Sequence, residues 1–192
     1  NTMAVTDPIY PVYIDSNVMG GRAGVFENGR WSNVTYMSCS EENKFVPQIP
    51  DHRVDMVYLC YPNNPTGMVI TKEELQKWVD YALAHNAIIF YDAAYEAYIQ
   101  DDDIPHSIYE IPNAKKVAIE FHSYSKTAGF TGIRCGYTII PKELTATTKD
   151  GKCVEVAQYW DRRQCTKFNG TSYISQRAAE ARREELAKQK GE

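Results

Sequence analysis

Short runs of apolar residues alternate with amphipathic stretches along the chain. Runs at 55–61, 87–92 and 116–121 are almost continuously apolar and rich in β-branched and aromatic residues. That pattern is typical of strands covered on both faces. Shorter strands are predicted at the start of the chain, at 34–38 and at 135–140. The sequence therefore predicts several buried strands separated by other elements.

Helices are predicted between these strands. Pro11 and Gly20–Gly21 bracket a helix over 12–19. Thr71 and Glu74 form a capping box that opens a helix reaching about 85–86. Its apolar positions recur at helical spacing, namely Leu75, Trp78, Val79, Ala82 and Leu83. Further helices are predicted at 152–167 and from 172 onward, with a short helical turn near 108 and loops at 24–33 and 41–53.

Strands that alternate with helices of this length indicate βαβ units, and hence an α/β fold with a mostly parallel sheet. In such sheets, ligands bind beyond the carboxyl ends of the strands. The residues that follow the three apolar runs are therefore the first candidates for a functional site.

Composition narrows the function classes. The 192 residues carry a net charge of −4 with both signs interspersed, which argues against a nucleic-acid partner. No apolar stretch is long enough to suggest a membrane partner. Five scattered cysteines without a C-x-x-C motif and four distant histidines argue against a metal site and favour a reducing cytoplasm. The first residues resemble a strand already under way, so the chain is expected to begin inside a larger protein.

Polar side chains follow each apolar run. Asn64 comes after the first, Asp92 and Tyr95 after the second, and Ser123 and Lys126 after the third. Parallel strands would place this amide, carboxylate, phenol, hydroxyl and amine on one rim. We interpret that rim as the site.

These residue types suit pyridoxal 5′-phosphate (PLP), whose aldehyde condenses with a lysine amine such as that of Lys126. A carboxylate at Asp92 would keep the pyridine nitrogen protonated. Asn64 and Tyr95 could donate to the phenolate oxygen. The phosphate needs hydroxyl and guanidinium donors, which Ser123 and Arg134 could supply.

Each residue also has an ordinary structural interpretation. Asp92 could cap a helix, and Asn64 lies in an Asn-Pro turn. Tyr95 is one of fourteen tyrosines, and Arg134 and Lys126 could simply be solvated. The order and spacing of the whole set favour one shared site.

Several segments of the sequence also resemble those of a known enzyme family. Asn63–Gly67, Asp92–Tyr95 and Ser123–Lys126 with Arg134 resemble the signatures of fold-type I PLP-dependent aminotransferases. Three more segments resemble those of LL-diaminopimelate aminotransferases. They are Asp7–Tyr13, Ser123–Gly136 and Thr166–Ser172. The resemblance runs from about Thr2 to Ala181.

The resemblance implies a three-layer α/β/α fold and a set of roles. Lys126 would form a Schiff base with PLP and shuttle the substrate proton, with Asp92 and Tyr95 as the other catalytic residues. Asn64, Ser123 and Arg134 would hold the cofactor, and Tyr10 would lie against its ring. Tyr10, Asn64 and Asn169 would meet the substrate, with Asn169 reaching into the neighbouring subunit of a homodimer. The implied reaction moves an amino group between LL-diaminopimelate and 2-oxoglutarate in lysine biosynthesis.

The same resemblance implies a domain division. Residues 1–181 would be the PLP-binding large domain, incomplete at its N-terminal side. The glycine-rich phosphate cup would lie upstream, and an arginine for the substrate carboxylate would lie downstream. Residues 182–192 are expected to form a charged helical tail that does not resemble the family, so a non-native origin is left open.

The sequence leaves two alternative functions open. Another fold-type I PLP enzyme, such as a β-lyase or an acyltransferase, would use the same scaffold, because fold does not fix reaction. A catalytically inert fragment or dimerisation module would keep the scaffold only.

Overall fold

The structure, a computed structural model, describes residues 1–190, with side-chain surroundings for residues 1–188. The last two residues of the expected 182–192 tail lie outside the described residues. The expected tail does not begin as a separate element, because a single helix runs through Tyr173–Lys190. Whether residues 1–181 form one domain stays a prediction.

A six-stranded sheet forms the centre, in the order β4-β1-β5-β6-β7-β8. The first five strands in that order run parallel, and β8 pairs with β7 in the antiparallel direction. The sheet strands are β1 (Met3–Asp7), β4 (Val34–Ser38), β5 (Met56–Cys60), β6 (Ile88–Asp92), β7 (Ala118–Ser123) and β8 (Gly136–Ile139). Two small hairpins join β2 (Phe26–Glu27) to β3 (Arg30–Trp31) and β9 (Thr145–Thr147) to β10 (Cys153–Glu155).

Within residues 1–190, five α-helices accompany the strands. They are α1 (Val12–Met19), α2 (Lys72–His85), α3 (Tyr124–Thr127), α4 (Val156–Lys167) and α5 (Tyr173–Lys190). Single 3-10 turns lie at Glu41–Asn43, Glu96–Tyr98, Ile108–Glu110 and Ala114–Lys116. No helix within residues 1–190 combines the length and apolarity needed to cross a membrane.

Two apolar clusters on opposite faces of the sheet make the fold three-layered, as expected. On one face, Trp78 and Leu75 of α2 pack with Val57 and Leu59 of β5. On the other face, Met3 and Val5 of β1 pack with partly buried residues of α1. Alternate residues of one strand thus enter different clusters, which explains why the central strands are apolar almost throughout. The prediction of an α/β/α architecture is confirmed.

The predicted N-terminus of α2 is also confirmed. Thr71 Oγ1 accepts a hydrogen bond from the backbone N–H of Glu74 at 3.2 Å, and Glu74 accepts one from the N–H of Thr71. These bonds satisfy donors that a helix start leaves free. One apolar position of the helical pattern, Leu83, is 40% exposed and lies outside the core.

Two predicted segments differ from the structure. The loop predicted at 24–33 contains the β2–β3 hairpin, which Asn28 and Gly29 turn with positive φ angles of 52° and 79°. The helix predicted from residue 152 begins only at Val156, because residues 153–155 pair with β9. Gly151, at a φ of 81°, allows the tight turn that joins those two strands.

The sheet register explains why the candidate residues meet. Cys60 at the end of β5 is the partner of Asp92 at the end of β6, and Asp92 is the partner of Phe121 in β7. The three strands therefore end at nearly the same level, and the residues that follow them share one rim of the sheet.

Candidate active site

A cavity of about 370 Å³ opens at this rim. That volume lies within the usual range for small-molecule sites. Seven of the eight candidate residues from the sequence line it. They are Tyr10, Asn64, Asp92, Tyr95, Ser123, Lys126 and Arg134.

The carboxylate of Asp92 is held at both oxygens. Its Oδ1 accepts a hydrogen bond from the backbone N–H of Ala94 at 2.9 Å. Its Oδ2 accepts one from the hydroxyl of Tyr13. The bond to Ala94 N–H is the turn-type contact expected of an aspartate at the end of a strand.

The amine of Lys126 lies beside the ring of Tyr95, with Nζ 5.3 Å from the ring centroid. Within residues 1–188, no acceptor lies within hydrogen-bond distance of this amine, which leaves it open to the cavity. The hydroxyl of Tyr95 accepts a long hydrogen bond of 3.5 Å from Asn64 Nδ2. The hydroxyl of Tyr98 donates to the backbone oxygen of Lys126 at 3.3 Å, which helps to fix the lysine-bearing turn.

Ser123 and Arg134 bracket that turn. The Oγ of Ser123 accepts from the N–H of Ser125 at 3.2 Å and keeps its own hydrogen to donate. Arg134 Nη1 donates to Thr131 O at 2.6 Å, and its other guanidinium N–H groups have no protein acceptor among the described residues. The backbone of Arg134 has a φ of 60°, a conformation uncommon outside glycine and often found at functional sites.

The lysine-bearing turn is anchored to the core from behind by Glu120 of β7. This carboxylate, 1% exposed, accepts from Ser107 Oγ and Ile108 N at 2.8 Å each, and it pairs with His122 Nε2 at 2.6 Å. The His122 ring stacks on Tyr137 of β8 at 4.5 Å, and burial raises the pKa of the Tyr137 phenol to about 12. These contacts fix the end of β7 from which Lys126 follows.

The structure does not bring Asn169 to this cavity. Asn169 follows α4 and lines a separate surface cavity beside α5 and β8. Its loop is nevertheless joined to the site, because Thr171 Oγ1 donates to the backbone oxygen of Arg134 at 3.1 Å. The expectation for Asn169 concerned a neighbouring subunit, so its contact with a substrate stays a prediction.

Sequence reasoning did not single out seven further lining residues, and two of these, Tyr13 and Cys60, carry ionisable side chains next to Asp92. Burial is the largest cause that raises the pKa of the Tyr13 phenol far above its ordinary value, with the charges of Cys60 and Asp92 adding to it. Burial and the charge of Asp92 also raise the pKa of the Cys60 thiol to about 12. Both groups therefore keep their protons. The position of Cys60 at the end of an apolar run, directly opposite Asp92, was the one available signal for it.

The donor set fits PLP. The cavity offers a lysine amine for an aldehyde and a clamped carboxylate for a pyridinium nitrogen. It also offers an amide with a phenol for the ring oxygen, and a hydroxyl with a guanidinium for a phosphate. A metal would need other ligands. Among the residues described, no group of three or more histidine, cysteine, aspartate or glutamate side chains could hold one.

Comparison with protein families gives a match to "Aminotransferase class I and II" over residues 34–190. Among curated proteins, the chain is 72% identical over 181 residues to an LL-diaminopimelate aminotransferase of Phocaeicola vulgatus. This match covers 94% of the chain and 44% of the relative. A protein of the same name from Prochlorococcus marinus subsp. pastoris is 60% identical over 182 residues, with 94% and 45% covered.

Among solved structures, the chain is similar to L,L-diaminopimelate aminotransferase from Chlamydomonas reinhardtii. The TM-score is 0.83 at 44% identity, and the match covers 91% of the chain and 42% of that structure. The chain thus spans less than half the length of the relatives it matches.

Proposed function

Since the chain belongs to the class I and II aminotransferase family, whose members depend on PLP, we propose that the protein transfers amino groups from LL-diaminopimelate to 2-oxoglutarate. The substrate proposal draws on relatives named LL-diaminopimelate aminotransferase at 60–72% identity. On this proposal the protein serves lysine biosynthesis.

One observation carries the proposal. The rim cavity gathers an amine, a carboxylate, an amide, a phenol, a hydroxyl and a guanidinium from three strand ends and the turn after them. This is the donor set that PLP requires. A scaffold without catalytic function would not require Lys126 Nζ to lie open to a cavity.

Bound PLP supplies an aldehyde and a protonated ring that withdraws electrons from the substrate's α-carbon. The protein supplies binding and proton transfer. The carboxylate of Asp92 would accept a hydrogen bond from the protonated ring nitrogen, and the side chains of Asn64 and Tyr95 would donate to the ring oxygen. The Ser123 hydroxyl and the Arg134 guanidinium would bind the phosphate.

Lys126 Nζ would hold PLP through its aldehyde and would act as the base that accepts the proton leaving the substrate's α-carbon. Its position beside Tyr95 keeps the amine within the cavity. Tyr10 would cover the ring and exclude water. Its place on the cavity wall supports this role, as does its edge-on contact with Tyr13, whose ring centroid lies 5.7 Å from that of Tyr10.

We further propose a homodimer in which Asn169 reaches the partner's substrate. Exposed apolar side chains after β8 support this proposal. Phe168, Tyr173 and Ile174 are 62%, 73% and 82% exposed, and α4 buries none of its side chains. Apolar exposure of this extent in one region is typical of an interface. Sedimentation equilibrium of the chain would measure the association.

A cytoplasmic location belongs to the same proposal. All five cysteines are free thiols, and three of them are buried. Free buried thiols are typical of proteins from a reducing compartment. An aminotransferase that supplies amino-acid biosynthesis would find its substrates there.

The test is amino transfer by the PLP-treated protein, measured as glutamate formed from 2-oxoglutarate. We expect glutamate to form with LL-diaminopimelate as donor, with ping-pong kinetics, and to be absent in Lys126→Ala. Release of ammonia without 2-oxoglutarate would instead indicate a β-lyase. PLP bound on Lys126 without any turnover would favour the inert module.

A further inference from the structure

Tyr13 contacts the proposed ring-nitrogen partner directly. It lies in the first turn of α1, and its hydroxyl donates to Asp92 Oδ2, although the two residues are 79 positions apart in the chain. Neither the sequence patterns nor the family resemblance assigned Tyr13 a role. The contact needs an explanation, because a partly buried tyrosine in a helix is ordinarily expected to act as a packing residue.

Two neutral donors act on one carboxylate. Asp92 Oδ1 accepts from Ala94 N–H and Oδ2 accepts from Tyr13, so the plane of the carboxylate is fixed from two sides. Hydrogen bonds donated to a carboxylate favour its ionised form. Of the residues that the structure describes, Asp92 is the only carboxylate lining the cavity.

The surroundings of Asp92 concentrate the negative charge on it. The Tyr13 phenol and the Cys60 thiol, two ionisable neighbours, both keep their protons because burial raises their pKa values. A protonated phenol can donate to Asp92 and brings no second negative charge into the site. The cations of the cavity, Lys126 and Arg134, lie after β7.

Tyr13 is itself held rigidly. Its ring stacks on Tyr58 of β5 at 5.4 Å, and Tyr58 stacks on Phe90 of β6 at 4.9 Å. Asn17, 4% exposed, donates from Nδ2 to both Tyr13 O and Tyr58 Oη at 2.8 Å. The first turn of α1 is thus pinned to the sheet face, and the phenol has little freedom to leave Asp92.

We propose that Tyr13 is a positioning residue that keeps the Asp92 carboxylate aimed at a protonated ring nitrogen in the cavity. This inference rests on the proposed function, since it takes PLP as the group whose nitrogen Asp92 meets. It adds a residue that acts through Asp92 without needing to touch the substrate.

The first experiment needs no cofactor. A double-mutant cycle in urea unfolding of the chain compares Tyr13→Phe, Asp92→Ala and the double variant. We expect a coupling of about tenfold or more in the folding equilibrium constant, as for bonds to charged groups. A control cycle combines Tyr58→Phe with Asp92→Ala. Tyr58→Phe removes a hydroxyl from the same aromatic stack, and the coupling in this cycle should stay below about twofold.

The second experiment follows the visible absorbance of bound PLP against pH. In Tyr13→Phe we expect the titration midpoint to move by about one pH unit from that of the unsubstituted chain. In Tyr58→Phe it should not move. Tyr13→Phe keeps the stacked ring, so this readout does not depend on whether Asp92→Ala folds.

The outcomes separate the two proposals. Coupling without a midpoint shift, or no coupling in the Tyr13 cycle, would overturn the positioning role even if PLP binds normally. Failure of the unsubstituted chain to bind PLP would overturn the role together with the proposed function. In that case a coupling in the first cycle would show that the contact serves stability alone.

Discussion

The acidic and the basic side chains of the rim cavity come from different strand ends of the sheet. Among the described residues that line it, Asp92 is the one carboxylate and ends β6, whereas Lys126 and Arg134 follow β7. PLP has a cationic ring nitrogen at one side and a phosphate at the other. A ligand with that charge pattern matches the cavity in one orientation only, which is how polar groups give a site specificity.

Arg134 provides a residue-scale prediction. Its guanidinium has donors beyond the one bound to Thr131 O, and bonds between arginine and phosphate are among the stronger protein hydrogen bonds. We expect Arg134→Ala to weaken PLP affinity by about 10- to 100-fold, since bonds to charged groups contribute about 1.5–3 kcal/mol. Equilibrium dialysis measures the affinity.

The matched control is Arg162→Ala, which removes a guanidinium from α4, away from the rim cavity. Its PLP affinity should equal that of the unsubstituted chain. Equal losses in the two variants would mean that Arg134 contributes only through the net charge of the protein, and the phosphate assignment would be wrong.

The candidate residues were predictable from sequence because their types and spacing form a recognisable set. Tyr13 was not, since local patterns cannot report a contact between positions 79 apart. Its helical position among apolar residues suggested only a core side chain. The motifs that line the cavity could therefore be located from the sequence, whereas the contact of Tyr13 with Asp92 required the fold.

At the scale of elements, the pairing of β7 with β8 fixes the end of the strand before Lys126. Gly136 is the register partner of Ser123. A Cβ added at Gly136 would lie 2.7 Å from the backbone oxygen of His122. Only glycine allows the two strands to approach this closely beside the cavity.

We therefore expect Gly136→Ala to lower the free energy of unfolding by about 1–3 kcal/mol, the usual cost of overpacking. It should also weaken PLP binding, because the shift would reach Ser123. Urea unfolding and dialysis measure the two effects. Gly132→Ala is the control, since a Cβ there meets no atom within 4 Å. Equal stability of the two variants would contradict the close approach.

Element predictions succeeded where hydrophobic periodicity was long and uniform. The capping box at Thr71 and the buried positions of α2 determined that helix, and the apolar runs located β5, β6 and β7. The β9–β10 hairpin was missed, because three-residue strands carry little pattern of their own. The antiparallel direction of β8 also depends on its connection to β7, which hydrophobicity does not encode.

At the scale of the whole molecule, the sheet brings distant motifs to one rim. The parallel order of β5, β6 and β7 places residues near 64, 92 and 126 around one cavity. Both faces of the sheet are covered by apolar clusters, so the scaffold that holds the rim has two core layers. The general rule that ligands bind at the carboxyl ends of parallel strands made this location predictable.

The most direct measurement concerns Lys126. The chain is mixed with PLP, reduced with borohydride and digested, and the labelled peptide is located by mass spectrometry. We predict a label on the Lys126 peptide alone, lost in Lys126→Ala and retained in Lys116→Ala, which alters a lysine just before the start of β7. A label spread over other lysines, or one that persists in Lys126→Ala, would contradict the assignment of the site.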